Sequence, residues 1–499
     1  MSTSPVTAWQ RFTDWCGTLA DIGGTLSMLG WDRETVMPRG GAESRARQMG
    51  TLSAILHREL TRADLTEPLE ELHAGGGLPP ERARQVALMR RQRAKALRVP
   101  ESLVRALSEA RSRSVSTWIR TRPSGDYAAF AVPFTEVVRL RREEAALLAE
   151  SGEHYDALLD EFEPGARVAT LEPVFADLRA RLAPLVAACA DRRRPELPAR
   201  AWPVEAQLAL AREIAEMVGY DADRGYITTS AHPFTSSPGT GDVRFTTRLS
   251  EADPVGNVMA VMHEAGHALY EQGFPGDWAR TALADAPSLA AHESQSRFWE
   301  NHLARTGAFW AHIEPVMRTH LPDAMRDLRA ADLHRVAAAV QPTLIRVDAD
   351  EVTYNLHIAL RFELEVALFR GDIEVPDLPA AWDARMTELL GVTPAGPAEG
   401  VMQDVHWPEG VFGYFPTYTL GSLYAAQLAE SAAADLGDLE AVVAEGRFAD
   451  VLAWMRHRVH RHGRLFDTDE LMRRATGREL SADALVAHLE RLVAATADV

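Results

Sequence analysis

Apolar residues recur at the spacing of an amphipathic helix along most of this chain, and the helix formers Leu, Ala, Arg and Glu dominate these segments. Clusters of Gly and Pro interrupt the pattern and indicate where successive helices end. Gly23-Gly24 is expected to end the first helix, and residues 29–38 to be irregular. The pattern predicts a mainly α protein, whose helices in the first 200 residues lie at 7–22, 42–61, 81–97, 101–120, 127–151 and 171–193.

The same spacing continues to the C-terminus. Residues 396–418 lack it and are expected to form a long loop, which in a helical protein is often functional. A helix is expected to begin at Pro254, and a second one to begin at Pro287 and carry residues 292–300. Further helices are predicted at 321–333, 352–369, 378–390, 420–436, 439–445, 448–462 and 482–493.

The composition of the chain changes between residues 225 and 250. Residues 226–229 and 243–247 are rich in β-branched and aromatic side chains and are predicted to be strands. A Ser/Pro/Gly-rich turn is expected between them. Such a sheet could offer an edge to an extended peptide, or it could only cap the core, and the sequence leaves both interpretations open.

Charge and cysteine usage limit the classes of function. The 499 residues are 46% hydrophobic, enough for a large core, and the net charge of −18 argues against a nucleic-acid partner. The two cysteines, Cys16 and Cys189, do not suggest a disulfide framework, and a reducing cytoplasmic location follows. No secretory signal and no apolar run of the length needed to cross a membrane is found. We therefore expect a cytoplasmic protein without a membrane partner.

The candidate chemistry begins with a His-Glu-x-x-His motif at His263, Glu264 and His267. Asp253 and Pro254 are a helix start, so the motif is expected inside one helix, with both histidines on the same face. Two imidazoles so placed can hold a metal ion, and the Glu264 carboxylate can take a proton from water. The alternative is an amphipathic helix with two histidines at the edge of the core.

A catalytic zinc site needs a third protein ligand. The candidates are Glu271, His292, Glu293 and Glu300. Glu271 follows His267 on the same helical stripe and would place three ligands in a row, so we disfavour it. Glu293 on a second, crossing helix has the better geometry, while the His292 side chain points about 100° away from it. Without the motif, Glu293 would be interpreted as an exposed carboxylate.

The motif predicts peptide hydrolysis, with Glu264 as general base and proton donor to the leaving amine. A further donor is needed for the negative charge that develops on the carbonyl oxygen. The candidates are His232, His406, Tyr414 and Tyr418.

Removal of C-terminal residues would require a fixed cation that binds the substrate carboxylate. Arg244 and Arg346 are the candidates, because a guanidinium can bind a carboxylate with two parallel hydrogen bonds. Each could equally form a structural ion pair, Arg244 with Asp242 and Arg346 with Asp350. These residues alone indicate a metallopeptidase and do not decide between exopeptidase and endopeptidase.

Seven stretches in order make the chain resemble the carboxypeptidase Taq family, also called thermostable carboxypeptidase 1. They cover residues 29–38, 232–234, 242–248, the metal-motif helix, 292–296, 345–350 and 400–407. The resemblance implies a metal-dependent carboxypeptidase of broad specificity that stops at proline. It places the metal ligands at His263, His267 and Glu293, the base at Glu264 and substrate-binding arginines at Arg244 and Arg346.

The resemblance also implies an architecture. The expected fold is a single large helical domain with a deep central groove and a small three-stranded sheet beside the metal-motif helix. Residues 1–200 would form a helical lid half and residues 201–499 a catalytic half. A homodimer is expected as well.

Two other functions are compatible with the motif. The first is an oligopeptidase that cleaves internal bonds of short peptides in a helical channel, and the second is a helical binding protein whose metal site is inactive. The ligand set suits Zn²⁺ and also accepts Co²⁺ or Mn²⁺, so Zn²⁺ is the expected ion.

Overall fold

Helices account for most of the fold in the computed structural model, which describes residues 7–150 and 152–496. The prediction of a mainly α protein is confirmed. Among the described residues, no helix combines the length and apolar character needed to cross a membrane. The first nine helices are α1 (Ala8–Thr35), α2 (Ala42–Leu60), α3 (Thr66–Ala74), α4 (Pro80–Arg98), α5 (Glu101–Thr121), α6 (Tyr127–Leu148), α7 (Tyr155–Phe162), α8 (Val168–Cys189) and α9 (Val204–Met217).

The remaining helices follow a small sheet. The segment after α11 is wound as a π-helix over Phe298–Ala304. These helices are α10 (Pro254–Glu271), α11 (Leu289–Arg297), α12 (Gly307–His320), α13 (Ala330–Ala337), α14 (Glu351–Arg370), α15 (Leu378–Leu390), α16 (Pro416–Leu436), α17 (Leu439–Ala444), α18 (Phe448–Arg458), α19 (Thr468–Thr476) and α20 (Asp483–Ala495).

The sheet has three strands, β1 (Gly225–Thr229), β2 (Thr235–Gly239) and β3 (Asp242–Thr247). Strand β3 is central, parallel to β1 and antiparallel to β2. The sheet packs against α10 through β3 and β2, as the family resemblance implied. Strand β2 lies where a turn was expected. As an edge strand with a break in register it tolerates Pro238, which cannot donate to a ladder.

Helix α1 does not end at Gly23-Gly24 and takes in most of the stretch expected to be irregular. A glycine inside a helix costs about 1 kcal/mol relative to alanine, and this cost is offset by packing at both ends, where Phe12 and Trp31 are buried. Gly24 also has a steric role: a Cβ there would lie 2.3 Å from the carbonyl oxygen of Pro238 in β2. The absence of a side chain therefore allows α1 to approach the sheet closely.

Other boundaries also differ from the prediction. Residues 321–329 form turns, because Pro322 follows the end of α12 and the next helix begins only at Ala330. The predicted helix over residues 321–333 is therefore wrong in its first nine positions. The long loop is shorter than expected because α16 begins at Pro416, a residue compatible with the first turn of a helix.

Within residues 7–150 and 152–496, buried apolar side chains form two clusters. The larger one extends from Leu103 in α5 to Val493 in α20 and surrounds α10, α11, α14 and α16. The smaller one joins α1, α3 and α4 around Phe12, Trp15 and Leu69. The large cluster holds the helices that carry the candidate site.

Candidate active site

Helix α10 begins as predicted. The Oδ1 atom of Asp253 accepts a hydrogen bond from the backbone N–H of Gly256 at 2.8 Å, and Pro254 occupies the first turn. His263 and His267 lie one turn apart, with ring centroids separated by 5.0 Å. The helix therefore brings both imidazoles of the motif to one face.

Helix α11 approaches α10 closely at Gly266. A Cβ at this position would lie 2.7 Å from the backbone oxygen of Gln295 and 2.7 Å from the Cα of Ser296. The glycine that follows Ala265 in the motif thus permits backbone contact between the two helices. This contact brings Glu293 opposite the histidines.

Three donor atoms converge at this crossing. The Oε2 atom of Glu293 lies 3.3 Å from Nε2 of His267 and 3.8 Å from Nε2 of His263. One donor atom from each residue falls within a set separated by at most 4.8 Å. Two imidazole nitrogens and one carboxylate oxygen in such a set match the donors of a zinc-type site. The residues present therefore fit a single divalent ion.

Hydrogen bonds on the far side of each ring orient the imidazoles. The Nδ1 atom of His263 contacts Oε2 of Glu300 at 2.7 Å, and Nδ1 of His267 contacts the backbone oxygen of His292 at 3.1 Å. Because both partners are acceptors, each Nδ1 is the donor in its contact, and in a neutral ring Nε2 then keeps its lone pair. Both Nε2 atoms face Oε2 of Glu293.

The two oxygens of Glu293 have different partners. Oε1 accepts a hydrogen bond from Nε of Arg297 at 2.7 Å, and Oε2 accepts one from the Ser296 hydroxyl at 3.0 Å. Burial opposes ionisation, but the Arg297 guanidinium and His263 hold the pKa of Glu293 well below its usual range. A single oxygen of an ionised carboxylate thus faces the histidines.

The other candidate ligands have separate roles. His292 and Glu271 contact each other, Nε2 to Oε1 at 2.8 Å, and the His292 ring stacks on that of His267 with centroids 4.4 Å apart. Glu300 binds the Nδ1 atom of His263, on the side away from Glu293. These three residues surround the donor set.

Glu264 is buried beside this set. Its Oε2 atom accepts a hydrogen bond from the Thr235 hydroxyl in β2 at 2.7 Å. Burial raises the pKa of Glu264, an effect partly opposed by His263 and by this hydrogen bond. A carboxylate with a raised pKa accepts and releases protons more readily near neutral pH. Thr235 had not been predicted as a site residue.

The two candidate arginines are each bound to a carboxylate. Arg244 binds Asp242 through two hydrogen bonds of 2.6 and 2.7 Å, as the structural interpretation anticipated, and its side chain remains 22% exposed. Arg346 is buried and binds Asp404 instead of Asp350, with Nε and Nη2 3.0 and 2.9 Å from Oδ1. Asp350 accepts backbone hydrogen bonds at the start of α14.

Asp404 is shared by two arginines. Its Oδ2 atom accepts a hydrogen bond of 2.7 Å from Nε of Arg361, which is fully buried. Both guanidiniums hold the pKa of Asp404 far below its usual range despite burial. Three charges in contact therefore leave one positive charge in excess near Arg346.

Tyr354 connects Arg346 to the side of the site that holds the three converging donor atoms. The Nη1 atom of Arg346 lies 3.4 Å from the Tyr354 hydroxyl. The aromatic ring of Tyr354 contacts Arg297, whose guanidinium carbon lies 4.2 Å from the ring centroid. Because Arg297 also binds Glu293, the excess charge and the donor set belong to one contiguous group of side chains.

The candidate donors to the carbonyl oxygen separate into two groups. His406, Tyr414 and Tyr418 form an aromatic cluster in which Nε2 of His406 lies 3.4 Å from the Tyr418 hydroxyl. Burial lowers the pKa of His406 to about 3, so this ring is neutral at pH 7. His232 is exposed in the loop between β1 and β2, and its backbone oxygen accepts a hydrogen bond from Ser230.

Several residues of the site were missed in the sequence. Arg297 lies four positions after Glu293, a spacing that indicates a helical ion pair and could have been noticed. Thr235 and Arg361 belong to other elements and give no local signal. Their positions depend on how the helices and the sheet pack together.

The chain is similar over nearly its whole length to known carboxypeptidases. The profile of the carboxypeptidase Taq (M32) metallopeptidases matches residues 11–493. Thermostable carboxypeptidase 1 of Thermus thermophilus is 41% identical over an alignment of 512 positions, covering 99% of both chains. Carboxypeptidase 1 of Bacillus subtilis is 33% identical over 484 aligned residues, covering 96% of this chain and 97% of the relative.

The fold is similar as well. The crystal structure of an M32 carboxypeptidase from Deinococcus radiodurans matches this structure with a TM-score of 0.94 at 37% identity, covering 99% of this chain and 100% of that one. The resemblance inferred from seven sequence stretches is thereby confirmed. The chain therefore belongs to the carboxypeptidase Taq (M32) family and is a metal-dependent carboxypeptidase.

Proposed function

We propose that His263, His267 and Glu293 hold one divalent ion, Zn²⁺ in the first instance, and that Glu264 is the general base. The convergence of two Nε2 atoms on a single carboxylate oxygen is the observation that supports this ligand set. When bound, the ion supplies a Lewis acid that lowers the pKa of water and polarises a peptide carbonyl. Co²⁺ and Mn²⁺ suit the same donors.

Glu264 takes the proton of the attacking water and delivers it to the leaving amine. Its burial favours this exchange because the protonated and ionised forms become closer in free energy. The Thr235 hydroxyl holds one carboxylate oxygen, and the other remains available for the proton. For the charge on the carbonyl oxygen, we propose donors from His406, Tyr418 and Tyr414, with His232 as a donor from the β1–β2 loop.

Arg346 and Arg244 would bind the C-terminal carboxylate of a peptide. The excess positive charge around Asp404 supports this role for Arg346, because a substrate carboxylate would neutralise it. Arg244 is the more exposed of the two and can exchange part of its contact with Asp242 for substrate. Broad specificity that stops at proline is part of the same proposal and rests on the family resemblance.

A pair of matched peptides tests this function. Protein loaded with Zn²⁺ is incubated with a peptide bearing a free C-terminus and with its C-terminally amidated twin, and product masses are recorded. We expect stepwise loss of single residues from the free peptide only. Release of internal fragments would instead indicate the oligopeptidase, and equal cleavage of both peptides would contradict carboxylate recognition.

Two variants and one measurement complete the test. Glu264→Gln should abolish turnover while metal content, measured by elemental analysis, stays at one ion per chain. His267→Gln should lose both metal and turnover. Elemental analysis of the purified wild-type protein identifies the ion, and turnover by a metal-free wild-type sample would contradict the proposal.

The remaining expectations are also proposals. We propose that the protein is cytoplasmic and that it forms a homodimer. Light scattering of the purified protein would test the homodimer. We also propose a deep central groove, with residues 1–200 as a lid half and residues 201–499 as a catalytic half. In the described part of the chain, only α1, α3 and α4 have an apolar cluster of their own, because residues 103–189 belong to the same large cluster as the catalytic half.

A further inference from the structure

Glu300 lies in the π-helical segment that continues α11. The backbone N–H of Arg305 donates to the Glu300 carbonyl at 3.1 Å, a bond that spans five residues. Seven residues, Phe298–Ala304, adopt this winding, which is rare in proteins and concentrates at functional sites. The insertion of this wider turn directly after Arg297 sets the position from which the Glu300 side chain reaches α10.

Both oxygens of Glu300 are occupied. Oε2 lies 2.7 Å from Nδ1 of His263 and 3.4 Å from Nη1 of Arg297. Oε1 accepts a hydrogen bond from Nη2 of Arg305 at 3.2 Å. The residue is 8% exposed, so these contacts operate at low dielectric. The carboxylate is thus held in one orientation by two arginines while it binds the imidazole.

We propose that Glu300 is a positioning residue for the metal centre: it keeps the proton on Nδ1 of His263 and directs the Nε2 lone pair toward the ion. This inference rests on the proposed function. The Nδ1 atom of His267 is oriented in the same way by the backbone oxygen of His292, which a substitution cannot remove. Glu300 is therefore the partner whose effect on a ligand imidazole can be tested by mutation. Carboxylates in this position raise the basicity of a ligating imidazole, and their loss lowers metal affinity about 10- to 100-fold.

Glu351 provides a matched control. It is as buried as Glu300, with 6% exposure, and it also pairs with Arg305, at 3.4 Å from Nε. Its Oε2 atom lies 3.0 Å from Nε2 of His488 in α20. Substitution of either glutamate therefore leaves Arg305 with one carboxylate fewer, but only substitution of Glu300 removes the partner of His263.

The test compares Zn²⁺ affinity of metal-free wild type, Glu300→Gln and Glu351→Gln, measured by competition with a chromophoric chelator. We expect an affinity about 10- to 100-fold lower for Glu300→Gln and close to the wild-type value for Glu351→Gln. Circular dichroism of the metal-free proteins checks that each is folded. Glu300→Asp, which keeps the charge for both arginines but is one methylene shorter, should also bind more weakly and replaces Glu300→Gln if that variant does not fold.

The outcomes are distinct. Wild-type affinity in Glu300→Gln and in Glu300→Asp would overturn the inference and leave the proposed function intact. Equal losses in the Glu300 and Glu351 variants would overturn it as well, because the effect would then pass through Arg305. Wild-type protein that binds no Zn²⁺ would overturn the proposed function together with the inference.

Discussion

The hydroxyl of Thr235 donates a hydrogen bond to Oε2 of Glu264 across 2.7 Å, joining an edge strand to the centre of the metal-motif helix. The same hydroxyl lies 3.2 Å from the backbone oxygen of Glu264. Glu264 therefore has a fixed orientation before substrate binds, and the strand β2 is what fixes it.

Replacement of Thr235 by valine removes this hydrogen bond with little change in shape. We expect kcat to fall about 10-fold, the cost of one hydrogen bond to a charged group, with KM and metal content unchanged. Steady-state kinetics on a peptide with a free C-terminus measures the effect. Thr235→Ser keeps the hydroxyl and should retain most of the activity, and equal losses in both variants would contradict the assignment.

Gly421 in α16 makes room for the side chain of Glu293. A Cβ at position 421 would lie 2.6 Å from Cγ and 2.7 Å from Cβ of Glu293. Gly421→Ala should therefore displace Glu293 and lower Zn²⁺ affinity about 10-fold or more, since overpacking of this kind costs roughly 1–3 kcal/mol. Gly23→Ala in α1, where nothing lies within 4 Å of the added atom, is the control and should bind Zn²⁺ normally.

Arg346→Lys tests the recognition of the C-terminal carboxylate. A lysine cannot reproduce the paired hydrogen bonds to Asp404 while also reaching Tyr354. We expect KM for a free C-terminus to rise roughly 10- to 100-fold, with a smaller change in kcat. The control is Arg200→Lys, which alters a pair with Asp327 elsewhere and should leave KM unchanged. An unchanged KM in Arg346→Lys would contradict substrate binding by this residue.

His460 gives the stability of the fold a defined pH dependence. It is fully buried, its Nε2 atom contacts Oε1 of Gln295 at 3.0 Å, and burial with nearby Arg456 lowers its pKa to about 3. The unfolded chain, with a pKa near 6.5, therefore binds a proton between pH 6.5 and 3 that the folded chain does not. Stability from this group is present above pH 6.5 and is lost as the pH falls below it.

His460→Gln should remove this loss. When the pH is lowered from 7 to 5, the free energy of unfolding of the wild type should fall by about 2 kcal/mol more than that of the variant. The reason is that each pH unit below 6.5 costs the wild type about 1.4 kcal/mol. Calorimetric Tm values at both pH values measure the shift. His73→Gln changes an exposed histidine and serves as the control. A wild-type Tm that falls in parallel with that of His460→Gln would contradict the prediction.

Local sequence signals predicted the part of the site that lies on two helices. Asp253 and Pro254 defined the start of α10, and the four-residue spacing of the histidines defined their common face. Glu293 followed from the requirement for a third ligand on a crossing helix. The donor atoms of His263, His267 and Glu293 converge in the structure, as a metal site requires. Their role as ligands stays a prediction.

Long-range packing determined what the sequence could not predict. Asp404 lies 58 residues from Arg346, whereas Asp350 is its near neighbour in the chain, so a local interpretation chose the wrong carboxylate. The π-helical turn at Glu300 has no compositional signature. Helix α1 continues through two glycines because the tertiary contacts at its ends outweigh a local preference.

The contact between α1 and the sheet has a mechanical consequence. The hydroxyls of Ser27 and Ser236 lie 2.8 Å apart, next to the residue that orients Glu264. From Ser27 to the start of the helix at Ala8 the distance along the axis is about 28 Å. If α1 turned as a rigid body about this contact by about 10°, its far end would move by about 5 Å, so a small rotation beside Glu264 corresponds to a much larger displacement at Ala8.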